Sequence, residues 1–446
     1  MERNSFSKIW CLVIAMLLIS NFLTAQTNEF SVKQAVDYGI KNSVKVLNAL
    51  LDIKIQEQTN REITAQALPQ ISASGSITDY LKIPVSLIPG EIFGGQAGSF
   101  IPVQFGTKYN ASGGIDASQI LFDGQVFVGL QARSAAIDLA TKTADVTAEQ
   151  IKANIYKIYY QLVVGKKQLS SVEANIERFE KLLYDTKEIF KNGFVEKLDV
   201  DKVSVQMNNL KTEKQKIENQ LLAGHAGLKF LMNMPQKEML VLTDTLSEEE
   251  LKSNILDEAY SYTDRKEFQL LNIASKLNKY NIKRYQLSRI PTFSVFGSYT
   301  KNAQRTEFDF FKSGGEWFTT SLVGLRVAIP IFDGFARRAR IENARLVLAK
   351  TNNNIQEIKE SIDNDVTQSR IKMKSALLTI DDQKQNVKLA ESVFNTTKKK
   401  YDQGLGSNQE IYNAQTELKV AQNNYYSALY DAITAKIDYL KAIGQL

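Results

Sequence analysis

Apolar residues along this chain follow two different periods. From Ile151 the series Ile151, Ile155, Ile158, Leu162, Gly165, Leu169, Val172, Ile176, Phe179 and Leu183 advances by alternating steps of four and three. That is a heptad seam, the pattern of helices packed side by side in a left-handed coil. Ile362, Val366, Ser369, Met373, Ala376, Ile380, Gln383, Val387, Ala390 and Phe394 repeat it with two polar lapses. Each seam has a return. After Gly193 come Val200, Val203, Met207, Leu210, Ile217 and Leu221; after Gly404 come Ile411, Ala414, Leu418, Ala421, Tyr425, Ala428 and Ala432. A glycine at each reversal suits a helix end that needs a left-handed residue, and the Ala-rich second return lets its helix approach closely. The pattern predicts two helical hairpins whose stripes are coiled-coil core rather than a cofactor box. As one helix, residues 125–191 would span roughly 100 Å at about 1.5 Å per residue, longer than any compact domain.

The second period is two. Ile71, Ala73, Gly75 and Ile77 alternate with Ser72, Ser74, Ser76 and Thr78; Tyr109, Ala111, Gly113, Ile115 and Ala117 alternate with Asn110, Ser112, Gly114, Asp116 and Ser118. Phe293, Val295 and Tyr299 alternate with Thr292, Ser294 and Ser298, and Val323, Leu325, Val327 and Ile329 with Gly324, Arg326 and Ala328. One face is apolar or small; the other is rich in hydroxyls and carries a charge. Tilted segments of about ten residues with this alternation have the length a bilayer demands of a barrel strand. A sandwich half-buried on a core is the alternative. Asp116 and Arg326, at equivalent places on the polar face, argue for a face that looks into water. Four strands cannot close a barrel, and open edges in hydrocarbon would leave backbone groups unpaired. The edges must therefore meet other copies of the chain: two copies give eight strands and a filled interior, three give twelve and room for a channel. Tyr80, Tyr109, Phe122, Phe293, Tyr299, Trp317 and Phe318 cluster near strand ends, as interfacial girdles do.

The two periods occur twice in the same order. Leu68-Pro69 falls over Ile290-Pro291, and Gly75-Ser76-Ile77-Thr78 over Gly297-Ser298-Tyr299-Thr300; farther on, Leu121-Phe122-Asp123-Gly124 falls over Ile331-Phe332-Asp333-Gly334, and Gly193 over Gly404. The chain reads as an internal duplication with halves 26–234 and 255–446, joined by a polar linker, 235–254. Each half is expected to hold a first helix (31–66 and 255–288), two strands, and a long hairpin. The first half has extra residues between its strands. This insert, Leu81 to Lys108, should be the larger loop, and its apolar character suggests that it folds over the barrel mouth.

Composition adds what the pattern does not. Only seven prolines occur in the 446 residues, and none in 103–234 or 331–446, where the long helices are expected; an interior Pro would cost about 3 kcal/mol. Arg3 and Lys8 precede an apolar run from Ile9 to Ile19, followed by Leu23-Thr24-Ala25. This is the layout of a secretory signal, residues 1–25. Cleavage after Ala25 removes Cys11, the one cysteine, so packing rather than disulfides must stabilise the mature chain. The formal net charge of +6 is mild and no polybasic run occurs, which gives no support to a nucleic-acid surface. The one histidine, His225, lies on a helical stretch and reads as structural. No nucleophile–base pair, metal cluster or phosphate loop stands out, so the chain is not expected to be an enzyme or to need a cofactor.

The signal, the duplicated unit, the Pro at the entry to the first strand, Phe-Asp-Gly at the exit of the second, and Phe190-x-x-Gly193 and Tyr401-x-x-Gly404 at the turns together resemble the TolC-type outer-membrane efflux channels. The resemblance covers residues 30–446. It implies an α+β membrane protein: a homotrimer with a twelve-stranded transmembrane β-barrel, four strands per chain, and a long helical coiled-coil barrel in the periplasm of a Gram-negative bacterium. The implied function is passive export of drugs, metals or proteins, opened by docking to a periplasmic adaptor (membrane fusion protein) that works with an inner-membrane pump. A periplasmic coiled-coil adaptor and a secreted structural coiled-coil protein are the alternatives; both lack a reason for duplicated ten-residue strands.

Residue roles carry over in part. The resemblance implies an acidic position six residues after each turn glycine, filled here by Asp199 and Glu410. Three copies would make each a ring of carboxylates at the periplasmic gate, attracting cations. Either acid would equally suit the first turn of a helix. The family's further acid is replaced by Asn413, which predicts weaker cation selectivity. Tyr401 matches a tyrosine that bonds the acid of the other half, here Asp199; the basic partner found in some members falls at Gly406. The turns at Gly193-Phe194 and Gly404-Leu405 would face the adaptor, with Phe194 and Leu405 as apolar anchors. Asp116 and Arg326 would line the barrel lumen.

Overall fold

The computed structural model describes residues 28–245, 251 and 259–446; the expected signal, residues 1–25, lies outside them. The elements are β1 (Asn28–Phe30), α1 (Val32–Asn42), α2 (Val44–Ala65), β2 (Gln70–Asp79), β3 (Val85–Pro89), β4 (Phe100–Gln104), β5 (Tyr109–Phe122), α3 (Gly124–Lys191), α4 (Lys197–Met232), β6 (Leu240–Leu242), α5 (Lys266–Leu287), β7 (Thr292–Arg305), β8 (Phe318–Ala328), α6 (Ala336–Asp402) and α7 (Asn408–Ala442). Part of the element order recurs: α2, β2, β5, α3 and α4 are followed by α5, β7, β8, α6 and α7 in the same order, while β1, α1, β3, β4 and β6 have no counterpart among the described residues.

Each half fixes its long helix with the same residue. Asp123 Oδ1 accepts from the backbone N–H groups of Gln125 (2.7 Å) and Val126 (3.3 Å). Asp333 Oδ2 accepts from the N–H of Arg337 at 2.9 Å. The aspartate of Phe-Asp-Gly is therefore a helix cap, satisfying donors that the first turn leaves open. The helices that follow have 68 and 67 residues. Gly124 serves close packing, since a Cβ there would lie 2.9 Å from the carbonyl oxygen of Leu287 at the end of α5.

By contacts the chain forms two compact units. One comprises the residues up to Ile53, Ala140–Asn272 and Asn354–Leu446; the other Lys54–Leu139 and Ile273–Asn353. Each repeat supplies segments to both. The second unit holds a four-stranded antiparallel sheet in the order β2-β5-β7-β8, so β2 and β8 are its edges. Cross-strand partners share a face. Ser72, Asp116 and Ser298 lie in one row, as do Ala73, Ile115 and Tyr299 in the next. The expected alternation is the observed register. A bulge between Ile120 and Phe122 interrupts it at one end, placing Phe122 opposite Phe293.

In the first unit the seam residues are the core. Ile151, Ile155, Tyr159 and Leu162 of α3 pack with Leu228 and Met232 of α4 and with Ala35 and Val36 of α1. Ile362 and Val366 of α6 pack with Tyr439, Ala442 and Ile443. Ala428, Leu429, Ala432 and Ile433 of α7 meet Ala153 and Val164 of α3 and Ile380 of α6. Alanine at these positions brings α7 against both long helices.

Three expectations need correction. The first helix is not continuous: α1 ends at Asn42, the following Ser43 breaks the ladder with its extended ψ of 126°, and α2 starts at Val44. Its counterpart begins only at Lys266, behind a 3-10 turn at Tyr262–Asp264. The beginning of the supposed linker is folded, because β6 pairs in parallel with β1. Asp244 Oδ2 accepts from the N–H of Val32 at 2.8 Å, and the Tyr159 hydroxyl donates to the carbonyl of Phe30 at 2.8 Å. Residues 246–250 and 252–258 of that linker lie outside the described residues. The insert at 81–108 is not a plain loop: β3 and β4 form a hairpin within it.

Candidate functional site

The sheet presents two chemically different faces. On one, Ile71, Ile77, Ile115, Val323 and Leu325 are all exposed, Val323 to 83%. None of the described residues covers this apolar surface. The other carries hydroxyl and amide groups, and Ser76 and Ser112 share a hydrogen bond of 2.8 Å across it. Asp116 and Arg326 are both exposed on this polar face but are not partners: Asp116 sits between Ser72 and Ser298, and Arg326 lies opposite Ser294. The guanidinium of Arg326 stacks 5.0 Å from the ring centre of Phe296. Phe296 is an aromatic on the polar face, which the alternation alone did not mark. Near one end of the sheet a cavity of about 420 Å³ is lined by Ser76, Thr78, Asn110 and Asn302, with Ile83 and Phe105 of the insert closing over them.

Aromatic rings gather at both strand ends. Tyr109 and Phe308 are 5.7 Å apart at the ring centres, Phe308 and Phe310 5.7 Å, and Phe310 and Trp317 6.4 Å. At the opposite end Phe122 meets Phe127 at 5.4 Å and Phe293 at 6.3 Å.

The hairpin turns follow from their glycines. Gly193 (φ 77°) and Gly404 (φ 74°) are left-handed. The N–H of Phe194 reaches the carbonyl of Ile189 at 3.2 Å, and that of Leu405 the carbonyl of Lys400 at 2.9 Å, closing each long helix with the same capping motif. This leaves Phe194 83% and Leu405 77% exposed at the tips. Just beyond, Asp199 occupies the first turn of α4 and Glu410 that of α7. The backbone N–H of Glu410 bonds Ser407 Oγ at 3.2 Å, so the cap is supplied by Ser407 and not by the carboxylate. Neither carboxylate has an ion-pair partner among the described residues.

The two turns are neighbours: Asn408 Nδ2 donates to the carbonyl oxygen of Asp199 at 3.4 Å. Tyr401 does not bond Asp199 within the chain. Its ring packs with Phe394, Ile411 and Leu418, and its hydroxyl is buried without a hydrogen-bond partner. Asn413 accepts from Gln409 at 3.0 Å.

Between the turns and the mixed core, the hairpins join through polar groups, which the heptad reading did not foresee. The first hairpin has its own apolar cluster of Phe179, Val203, Met207 and Leu210; the second has Phe394, Ile411, Ala414 and Leu418. Across the join, Asn175 Nδ2 donates to Gln422 Oε1 (2.9 Å) and Gln415 Nε2 donates to Asn175 Oδ1 (3.1 Å). Gln206 Nε2 donates to the Tyr412 hydroxyl at 2.7 Å.

Two titratable groups of this unit stand apart from the turns. Burial lowers the proton affinity of His225, with Lys229 and Lys166 adding to the effect. Burial, and secondarily the charge of Glu267, raises the Glu149 pKa, and its Oε2 is buried without a hydrogen-bond partner. A raised pKa means the folded chain holds the proton more tightly. The stabilisation from protonated Glu149 is complete below the unfolded carboxylate pKa and is lost as pH rises through the folded value. Glu149→Gln is expected to raise the melting temperature at pH 7 and to lose that advantage at pH 4. Thermal unfolding followed by circular dichroism at both pH values tests this; equal shifts would remove Glu149 as the cause.

A unit that feeds two strands to one sheet and a long helical hairpin to a coiled coil, repeated along the chain, defines the structural class. Residues 267–445 match the outer membrane efflux protein family. The outer membrane protein TolC of Vibrio cholerae serotype O1 is 19% identical over 337 residues, 75% of this chain and 77% of that protein. Among solved structures, the outer membrane protein VceC of Vibrio cholerae superposes with a TM-score of 0.72 at 14% identity, covering 93% of this chain and 96% of that one. CusC superposes with a TM-score of 0.73 at 17% identity, covering 93% and 92%. The fold is that of solved outer-membrane efflux channels, and the family match falls on the second repeat.

Proposed function

We propose that the chain is one third of a channel that conducts efflux across the outer membrane. The observation that carries this reading is the uncovered apolar face of the sheet, set back to back with a face of hydroxyls, amides and charge. In water such a face would drive aggregation; in a bilayer it is a lipid contact, and the polar face is a lumen. Dimensions agree. Between Tyr109 and Phe122 β5 rises about 43 Å at about 3.3 Å per residue, or about 30 Å of height at a tilt of about 45°. That matches the hydrocarbon thickness, with aromatic rings at both ends. The free edges of β2 and β8 would be paired by other copies, since unpaired backbone groups in lipid cost several kcal/mol each. Three copies supply twelve strands, which leaves an open interior. The hairpins would then form a periplasmic tunnel, with Phe194 and Leu405 offered to an adaptor that links the channel to an inner-membrane pump. Export through it needs no chemistry from this chain. Membrane fractionation with gel migration of unboiled samples tests the assembly: an outer-membrane band that shifts from trimer to monomer on boiling is expected. A soluble monomer would overturn it.

The unpaired carboxylates of Asp199 and Glu410 would stand in rings of three near the periplasmic mouth. The double variant Asp199→Ala with Glu410→Ala is expected to lower the cation preference of single channels. Unchanged conductance and unchanged ion preference would remove both residues from the pore.

A further inference from the structure

The exit of β8 departs from its counterpart in the first half. Ile329, Ile331, Phe332 and Phe335 are exposed to 62%, 92%, 75% and 68%. The rings of Phe332 and Phe335 meet edge to face at 5.5 Å. Phe335 is held at φ 65°, a left-handed conformation that is unfavourable for a bulky side chain. No contact among the described residues explains that strain, because the ring it displays stays exposed. Arginines 337, 338 and 340 follow at once, and α6 has no acidic residue in its first turn. Cations at a helix N-terminus oppose the helix dipole. Arg337 approaches Asp333 at 3.7 Å, while Arg338 and Arg340 are exposed and have no ion-pair partner among the described residues. At the offset that superposes the Phe-Asp-Gly motifs, Arg338 falls over Val128, which is 1% exposed, and Arg340 over Leu130. The arginines are therefore not a requirement of the repeated unit.

A strained exposed aromatic pair at the exit of the sheet, followed within one helical turn by exposed cations without an ion-pair partner among the described residues, calls for an occupant that is apolar on one side and anionic on the other. We infer that residues 329–340 are a binding site for anionic phospholipid of the periplasmic leaflet. The exposed Ile and Phe side chains enter the acyl region, and Arg338 and Arg340 hold headgroup phosphates. The site rests on the proposed outer-membrane channel, in which the strand-to-helix junction lies at the periplasmic surface of the bilayer.

The test uses the full chain, purified in detergent, and its partition into vesicles of phosphatidylcholine alone or of phosphatidylcholine with phosphatidylglycerol. Wild type should prefer the anionic vesicles, and Arg338→Gln with Arg340→Gln should weaken that preference by roughly thirtyfold per chain without altering partition into phosphatidylcholine. Phe335→Gly relieves the backbone strain; it should fold at least as well in detergent yet partition less into both vesicle types. An unchanged preference in the double arginine variant would overturn the inference. So would dissociation of its detergent-solubilised assembly, which would assign the arginines to a contact between copies. Failure of the channel reading is distinguishable, since wild type would then enter neither vesicle type and give no heat-sensitive oligomer band.

Discussion

Leu325→Arg is expected to deplete the assembled channel from the outer membrane, whereas Ser298→Arg leaves assembly intact. The two positions lie on the same sheet and differ in face. Leu325 is 62% exposed on the apolar side, opposite Val295 of β7. Ser298 is on the other side, between Asp116 of β5 and Leu322 of β8. An arginine facing lipid near the middle of a barrel costs about 2–4 kcal/mol. The proposed threefold assembly would repeat the cost in every copy, or about 6–12 kcal/mol in all, comparable to the whole stability of a typical domain. At Ser298 the same side chain would point to water, near the carboxylate of Asp116, and change the charge of the lumen instead. Quantifying the unboiled oligomer in outer-membrane fractions separates the outcomes. Equal depletion by both substitutions would refute the assignment of the faces, as would equal tolerance.

How much of this was legible in the sequence depended on whether a local rule governed the position. The strand alternation did, because a side-chain period of two leaves one register that separates Ile71 and Ile115 from Ser72 and Asp116. The turn glycines did as well, since Gly193 and Gly404 meet the same left-handed requirement. Pairings that depend on the packed whole were not readable. Ser43 sits in an apparently unbroken helical stretch, yet its extended ψ divides α1 from α2. Leu240–Leu242 is a short apolar run in polar surroundings, and only the distant Asn28–Phe30 makes it a strand. Phe335 directly follows the motif shared by both halves, where the first half has Gln125, and the first copy begins its helix at Gly124 while the second takes two left-handed residues first. The proposed gate acids are visible only by resemblance. Nothing in their spacing distinguishes them from helix-capping acids, and the free state of both carboxylates emerged only with the structure.

The polar join between the hairpins was invisible for the same reason, and it carries the second large prediction. Asn175 is 1% exposed and Gln415 3%, both off the heptad seam. Asn175 spends its donor on Gln422 and its acceptor on Gln415 and Arg178. Asn175→Ala would leave a buried amide donor on Gln415 and an acceptor on Gln422 unmatched, at about 1–3 kcal/mol each, so about 2–6 kcal/mol is expected in all. The Gln415 Oε1 atom already lacks a partner. Removing both sides of the bond should therefore recover much of the loss: Asn175→Leu with Gln415→Leu is expected to be markedly more stable than Asn175→Ala, since no unmatched amide remains on Gln415. The measurement is hydrogen exchange over residues 170–180 and 410–425 together with thermal unfolding. If the join acts as a polar lock, exchange rises in both segments for Asn175→Ala and falls again in the double leucine variant. If the apolar clusters around Phe179 and Phe394 hold the hairpins unaided, Asn175→Ala changes neither. The distinction matters for the proposed tunnel: near the turns the apolar clusters lie mostly within each hairpin, bridged by Leu182, so the polar groups there would add to the shared apolar core in fixing the register of one hairpin against the other.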